Sequence, residues 1–325
     1  MDGRLIGADL GGTKLSVARM HEGTFEEHSL VPTDKSGADA LLDGIVLAVE
    51  PLLTEDTVAL GIGVPAAVDF VTGEAKSGVN LPLTGVPVRR ILGERLGIAV
   101  YVDNDANCAA IAEAHDDDGE LAVRNLVMFT IGTGVGGGLV LGGRPYRGAT
   151  GAAAEMGHQL IGLDLEDGAP PPSERFPQPG SLEALAAGRA LDGIAVQVAQ
   201  ERPAGELGQA AARGESITGV DAVRAAQAGD PDAIAAVRLL GERLGIGIAN
   251  AIHIFDPEVV AIGGGVAVAR ELLLGPAEEV ARRYALPGCG ERTEIRLSRY
   301  GVEAGLRGAA LMAALELREE EAVAA

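Results

Sequence analysis

Two spacings of apolar residues alternate along this chain of 325 residues. Short apolar runs bounded by glycine, proline or charge predict buried strands, and apolar positions three and four apart predict helices. RLIGADL, residues 4–10, reads as a buried strand, KLSVARM at 14–20 as its hairpin partner, and a third strand covers 24–31. A helical pattern spans 37–53, and TVALGIGV at 57–64 is a strand closed by Pro65. A short helix over 87–96 leads into the strand IAVYVD at 98–103. Residues 104–114 are helical again, with Asn104 or Asp105 near the N-terminus, where a short polar side chain can cap free backbone N–H groups.

The second half repeats the opening device. NLVMFTI at 125–131 predicts a strand, GTGVGGG a turn and LVLGG the returning strand. Residues 164–180, with five prolines, predict a long irregular loop, and helical patterns dominate from 182 to 254. VVAIGG at 259–264 is a short strand, and a last helix covers 303–319. Two halves that each carry a strand–glycine turn–strand unit, with βα elements filling the rest, predict an α/β architecture with weak internal duplication.

Composition narrows the setting. With 47% apolar residues the chain has the material for a folded core, and its length suits about two domains. No apolar run approaches the ~18 residues that a membrane-spanning helix requires. MDGRLIGADL lacks the charged and apolar regions of a signal peptide, and Cys108 and Cys289 are too few for a disulfide framework, so a cytoplasmic protein is expected. The net charge of −21 repels phosphate backbones, which argues against nucleic-acid binding. Lys14, Lys35 and Lys76 are the only lysines beside 23 arginines, and HDDDGE at 115–120 and REEEA at 318–322 read as solvated surface. A GC-rich coding sequence is one source of this balance. Adaptation to a salty cytoplasm, where screening shortens the range of like-charge repulsion, is the reading we favour.

Asp9 is a charge where an apolar strand should not want one. The segment GADLGGTK at 7–14 is close to a phosphate-binding P-loop, but Thr and Lys are in reversed order and a strand follows instead of a helix. GTGVGG at 132–137 matches G-x-G-x-x-G and again leads into a strand, so the dinucleotide fingerprint fails on context. What remains is a pair of glycine-rich hairpin tips, at 11–13 and 132–137, and a third cluster at 263–265. Such tips expose backbone N–H groups that can surround a polyanion. Tight hairpin turns favour the same residues. Three tips with acids beside them favour phosphate.

The ordered set DLGGTK (9–14), VDNDANCAAIAE (102–113), GTGVGGG (132–138), GAAAEMGH (151–158) and DPEVVAIGGG (256–265) resembles the ROK family of sugar kinases, within the actin-like ATPase superfamily and most closely its glucokinase branch. The resemblance covers essentially the whole chain. It implies a two-domain actin-like ATPase (ribonuclease H-like) fold with an interdomain cleft. Residues 1–112 with 303–325 would form a small N-terminal α/β domain completed by a returning helix, and 113–302 a larger α/β domain.

The same resemblance implies ATP-dependent phosphorylation of a hexose, with glucose going to glucose 6-phosphate and Mg-ATP held between the two glycine-rich hairpins. Asp105, the second aspartate of DNDAN, is the expected general base. Asp9 is expected to orient Mg²⁺ through water. Gly11, Gly12, Thr13, Lys14, Thr133 and Gly134 are expected on the phosphates, and Gly264 and Gly265 near the adenosine. Asn80, Asn104, Asp105, Glu155, His158 and Glu183 are expected on the hexose, whereas His253 reads as an ordinary satisfied polar residue. Two positions depart from the pattern, since Ala66 and Ala154 stand where the family usually has glycine. Many members also place C-x-C-G-x-x-G-C after the histidine of EMGH. Here Glu174, Phe176 and Ser181 occupy the cysteine positions, so no zinc site is expected.

A kinase for fructose, N-acetylmannosamine or another hexose is the alternative within the enzyme class. A non-catalytic sugar-sensing regulator of the same family is the alternative outside it. Those regulators carry an N-terminal helix-turn-helix domain, for which a chain starting on its first strand leaves no room, and the acidic charge disfavours DNA. The family also implies a homodimer.

Overall fold

A computed structural model describes residues 3–78 and 81–324. The chain opens with strands β1 (Arg4–Leu10), β2 (Lys14–His21) and β3 (Thr24–Pro32), then helix α1 (Ala38–Val49) and β4 (Thr57–Val64). Three short strands follow, β5 (Ala66–Asp69), β6 (Glu74–Gly78) and β7 (Val86–Pro87), before α2 (Val88–Leu96), β8 (Ala99–Asn104) and α3 (Asp105–Ala114). Next come β9 (Leu126–Ile131), β10 (Val135–Leu141) and β11 (Arg144–Pro145). Helices α4 (Leu182–Ala186), α5 (Gly188–Glu201), α6 (Glu206–Ala212), α7 (Gly219–Ala228) and α8 (Pro231–Phe255) precede β12 (Val259–Gly263). Then α9 (Glu271–Tyr284), β13 (Glu294–Leu297) and α10 (Ala304–Ala324) complete the chain.

One sheet has the order β3-β2-β1-β4-β8, a second the order β11-β10-β9-β12-β13, and β5, β6 and β7 form a third. In the first sheet β1 pairs antiparallel with β2 and parallel with β4, and β4 pairs parallel with β8. Strands buried on both faces need apolar residues at nearly every position, which is how β1 and β4 read. One face of this sheet packs Ile6, Leu10, Leu60 and Ile62 with Leu42, Ile45 and Leu92 of α1 and α2. The other packs Leu5, Ala59 and Tyr101 with Ile111 of α3 and residues 309–314 of α10.

Two glycines let α10 lie close on that second face. A Cβ on Gly7 would collide with the carbonyl oxygen of Leu306, and one on Gly61 with that of Ala309. The chain divides into two compact units, Met1–Met128 with Gly138–Ala154 and Val302–Ala325, and Phe129–Gly137 with Glu155–Gly301. This division differs from a boundary at 112–113, which falls inside α3.

Most predicted elements lie within a residue or two of their places, and the exceptions have physical causes. The expected turn GTGVGGG is shorter, because the strand resumes at Val135 and takes in Gly136, Gly137 and Gly138. A Cβ on Gly138 would strike the carbonyl oxygen of Ala106, so this glycine lets β10 approach α3 instead of making a turn. The pattern does not predict β5–β7, which are short and partly polar, or α9, which carries Pro276 inside it. Among the described residues no helix is long and apolar enough to cross a membrane.

Candidate functional site

Parallel pairing sets the acids of the first unit in one row. Asp9 at the end of β1 pairs in register with Gly63 of β4, which pairs with Asp103 of β8. The carboxyl ends of these strands form the edge at which open α/β sheets bind ligands. Burial raises the Asp9 carboxyl from 3.8 to about 6, against a smaller downward pull from Lys14.

The adjoining β1–β2 tip is tied to the strand beside it. Gly11 N–H donates to Lys14 O at 2.9 Å, Thr33 N–H to Thr13 O at 3.1 Å, and the Thr33 hydroxyl to Gly11 O at 2.8 Å. Thr13 and Lys14 are exposed at the tip. Lys35 Nζ lies 3.8 Å from the place a Cβ on Gly12 would take. Two of the three lysines of a strongly acidic chain thus flank the first glycine tip, which suits a polyanion. Lys35 escaped the sequence reading because the turn bringing it there lies beyond β3.

Asn104 caps α3, with its side-chain oxygen accepting from the N–H groups of Ala106 at 2.9 Å and Asn107 at 3.3 Å. Its Nδ2 donates to Ala66 O at 3.3 Å. Asp105 is therefore the first residue of the helix, and its Oδ1 accepts from Ala106 N–H at 2.8 Å. Gly63 permits this close start, because a Cβ there would lie 3.3 Å from Asp105 Cα. Asp103 is 2% exposed and accepts from Arg147 Nε at 2.6 Å. The sequence reading assigned Asp103 and Arg147 no role, since nothing local links residues 44 apart. Asn80 lies outside the described residues.

In the second unit three segments meet around Val135. Gly132 N–H closes the glycine turn on Gly134 O at 2.9 Å, and Gly188 N–H at the start of α5 donates to Gly132 O at 2.8 Å. Glu183 in the first turn of α4 accepts from Val135 N–H at 2.8 Å, and its carboxylate fills the space a Cβ on Gly134 would need. The carboxylate so placed braces the tip that carries Thr133 and Gly134. Gly157 in turn lacks a Cβ that would strike Val135 O.

Gly157 lies in the 3-10 turn Met156–His158, which sets His158 Nε2 3.8 Å from Glu155 Oε2. The His158 ring meets Phe176 edge to face at 5.5 Å, and Phe176 itself is 72% exposed. Gly264 bends through a φ of 87°, where a Cβ would fall 2.5 Å from Ile131 O, and Gly265 beside it opens on free space. The third glycine cluster therefore sits against the end of β9, next to the turn at 132–134. His253 matches its reading as a satisfied polar residue, since its Nε2 accepts from Leu286 N–H at 2.9 Å. Among the described residues no group of three or more His, Cys, Asp or Glu side chains could hold a metal ion by itself. Asp9 can contribute one carboxylate to a cation that brings its other ligands with it.

The family model described as ROK matches residues 5–316. The glucokinase of Halalkalibacterium halodurans is 33% identical over 311 residues, covering 93% of this chain and 92% of that protein. The N-acetyl-D-glucosamine kinase of Aliivibrio fischeri is 32% identical over 318 residues, covering 94% and 98%. Among solved structures, a ROK family glucokinase from Streptomyces griseus in complex with glucose and AMPPNP superposes with a TM-score of 0.79 at 33% identity, covering 96% of this chain and all of that one.

Proposed function

The chain belongs to the ROK family, with its actin-like ATPase fold, and from that premise we propose that it transfers the terminal phosphoryl group of Mg-ATP to the 6-hydroxyl of a hexose, glucose by preference. The observation that carries this reading is Asp105, fixed as the first residue of α3 at the carboxyl ends of the parallel strands β1, β4 and β8. A carboxylate there can take the proton of an attacking hydroxyl as the phosphoryl group leaves ATP.

The remaining residues divide by chemistry. In the first unit Gly12, Thr13 and Lys14 offer N–H, hydroxyl and ammonium groups to phosphate on a tip that the Gly11 N–H closes. In the second unit Thr133 and Gly134 offer hydroxyl and N–H groups of the same kind. Gly265 leaves space for the nucleoside, and Gly264 beside it is packed on the end of β9. Magnesium bound with the nucleotide would neutralise phosphate charge. Asp9 fits it and would hold it through water, because a carboxylate whose burial disfavours its charge gains most from a nearby cation. Glu155 and His158, set side by side, supply a carboxylate acceptor and an imidazole for sugar hydroxyls. Asn104 already caps α3 and Glu183 already braces the turn at 132–134, so each would order its own segment as much as touch a sugar.

N-acetyl-D-glucosamine is the second reading, supported by a relative of nearly the same identity that acts on that sugar. A coupled assay with ATP against glucose, N-acetylglucosamine, N-acetylmannosamine, mannose and fructose decides between them. The expected result is turnover with the highest kcat/KM for glucose, and a fall in kcat of roughly 10²–10⁴ for Asp105→Asn. No turnover with any hexose, or an Asp105→Asn enzyme keeping more than about half its kcat, would overturn the proposal.

A further inference from the structure

Asp103 is the next-to-last residue of β8, two residues before Asp105, and is almost fully enclosed. A carboxylate in that position is tolerated only when its lone pairs are taken up by donors. Its Oδ1 accepts from the N–H of Asn104 at 2.7 Å and from Asn107 Nδ2 at 2.9 Å, and its Oδ2 accepts from Arg147 Nε at 2.6 Å. Asn104 caps α3 and Asn107 lies in its first turn. One carboxylate therefore fastens both sides of the turn that carries Asp105.

Arg147 is itself held. Its guanidinium carbon lies 3.4 Å from the centre of the Phe70 ring, and its Nη2 donates to Glu316 of α10 at 3.3 Å. A planar, permanently charged fork can stack and donate in two directions at once, which an ammonium cannot. Clamped between Phe70 and Glu316, Arg147 acts on Asp103 as a fixed post and not as a mobile counter-ion. The loop that follows is pinned to the same unit, with Ala153 N–H donating to Arg147 O at 3.1 Å.

We propose that Arg147 is a positioning residue for phosphoryl transfer, acting through Asp103 to hold the first turn of α3 and so the direction of the Asp105 carboxylate. This rests on the reading of Asp105 as the base. The guanidinium donates to Asp103 and Glu316, and its effect on Asp105 passes through the Asn104 N–H and the Asn107 side chain that Asp103 holds. Displacement of a reacting group by about 1 Å is worth roughly 10²-fold in rate, so a loosened turn is read in kcat.

The test uses the intact chain and the hexose on which it turns over, with Asp105→Asn measured alongside. Arg147→Met keeps a stem against Phe70 and drops the guanidinium. Its kcat is expected to fall roughly 10- to 100-fold, with KM for hexose and Mg-ATP held within about threefold. Arg147→Lys is expected to recover part of that loss.

The double variant Arg147→Met, Asp103→Asn removes both charges yet keeps a side-chain oxygen for Asn104 and Asn107. Its melting temperature is expected to return towards wild type while kcat stays low, a split that a purely structural ion pair would not give. A single variant with kcat within about twofold of wild type, or a double variant whose kcat recovers together with its melting temperature, would overturn the inference. If Arg147→Met does not fold, the double variant decides by the same comparison. An active Asp105→Asn enzyme refutes the base instead, whereas an inactive Asp105→Asn beside a fully active Arg147→Met refutes Arg147 alone.

Discussion

The carboxyl group of Asp9 stands in the space that a side chain on Gly305 would need: a Cβ there would lie 2.9 Å from Asp9 Cγ. Gly305 is the second residue of α10, so a helix near the end of the chain sets the room for an acid near its beginning. Gly305→Ala gains helix propensity, worth up to about 1 kcal/mol, but forces Asp9 aside at an overpacking cost of roughly 1–3 kcal/mol. A net loss of stability is expected, together with a lower kcat with Mg-ATP. In a Gly305→Ala, Asp9→Ala double variant the stability loss should largely disappear, because the clash has lost its second partner. Thermal melts of the four proteins measure this, and equal losses with and without Asp9 would refute it.

Asp9 also gives a pH dependence with a definite sign. Its pKa is about 6 in the fold against 3.8 for the unperturbed group, with desolvation as the main cause. Between those values the folded protein holds a proton that the unfolded chain has released, so this group's contribution to stability falls as pH rises from about 4 to about 6. The span corresponds to about 3 kcal/mol at most. Asp9→Asn removes that slope. Without nucleotide it should match wild type near pH 4 and be the more stable protein above pH 6, while losing turnover. Denaturant melts across this pH range provide the check, and parallel stability profiles for the two proteins would contradict it.

Much of this arrangement was legible in the sequence, and what was not has an identifiable cause. The β1–β2 hairpin and the cap on α3 follow from apolar runs, glycine placement and a polar residue at a helix start, all of them local signals. Asn104 was expected near that N-terminus and is the cap itself. Arg147 reaching Asp103, and Glu183 reaching Val135 across 48 residues, are products of tertiary packing with no local signature. Gly138 was misread for a related reason. A glycine that clears a backbone oxygen in another element looks, in sequence, like a glycine that makes a turn.

Ala154 is the non-glycine residue where backbone strain adjoins the expected sugar site, with a φ of 67° just before Glu155. The left-handed region costs an L-residue roughly 1–2 kcal/mol, part of which glycine returns as extra freedom in the unfolded chain. Ala154→Gly is therefore expected to stabilise the protein by about 0.5–1 kcal/mol. Because Glu155 follows directly, KM for the hexose should move more than KM for ATP. Chemical denaturation and steady-state kinetics test both parts, and a destabilised Ala154→Gly protein would show that the surroundings, and not the side chain, impose the conformation.

Salt dependence distinguishes the two origins of the acidic composition. At −21 the chain carries far more like-charge repulsion than opposite-charge pairing can absorb. Among the described residues many ion pairs are exposed, such as Arg90 with Glu94 and Arg283 with Glu279, and pairs of that kind contribute about 0–1 kcal/mol each. Added salt screens both effects, but long-range repulsion summed over the excess acids outweighs a set of weak local pairs. Melting temperature and kcat are therefore expected to rise together between roughly 0.05 and 1 M KCl, a range over which the Debye length shrinks from above 10 Å to about 3 Å. The chloride series should be repeated with NaCl, since screening depends on ionic strength and not on which monovalent cation supplies it. A melting temperature that stays flat or falls across both series would assign the arginine-rich, lysine-poor composition to coding bias and remove salt adaptation from the account.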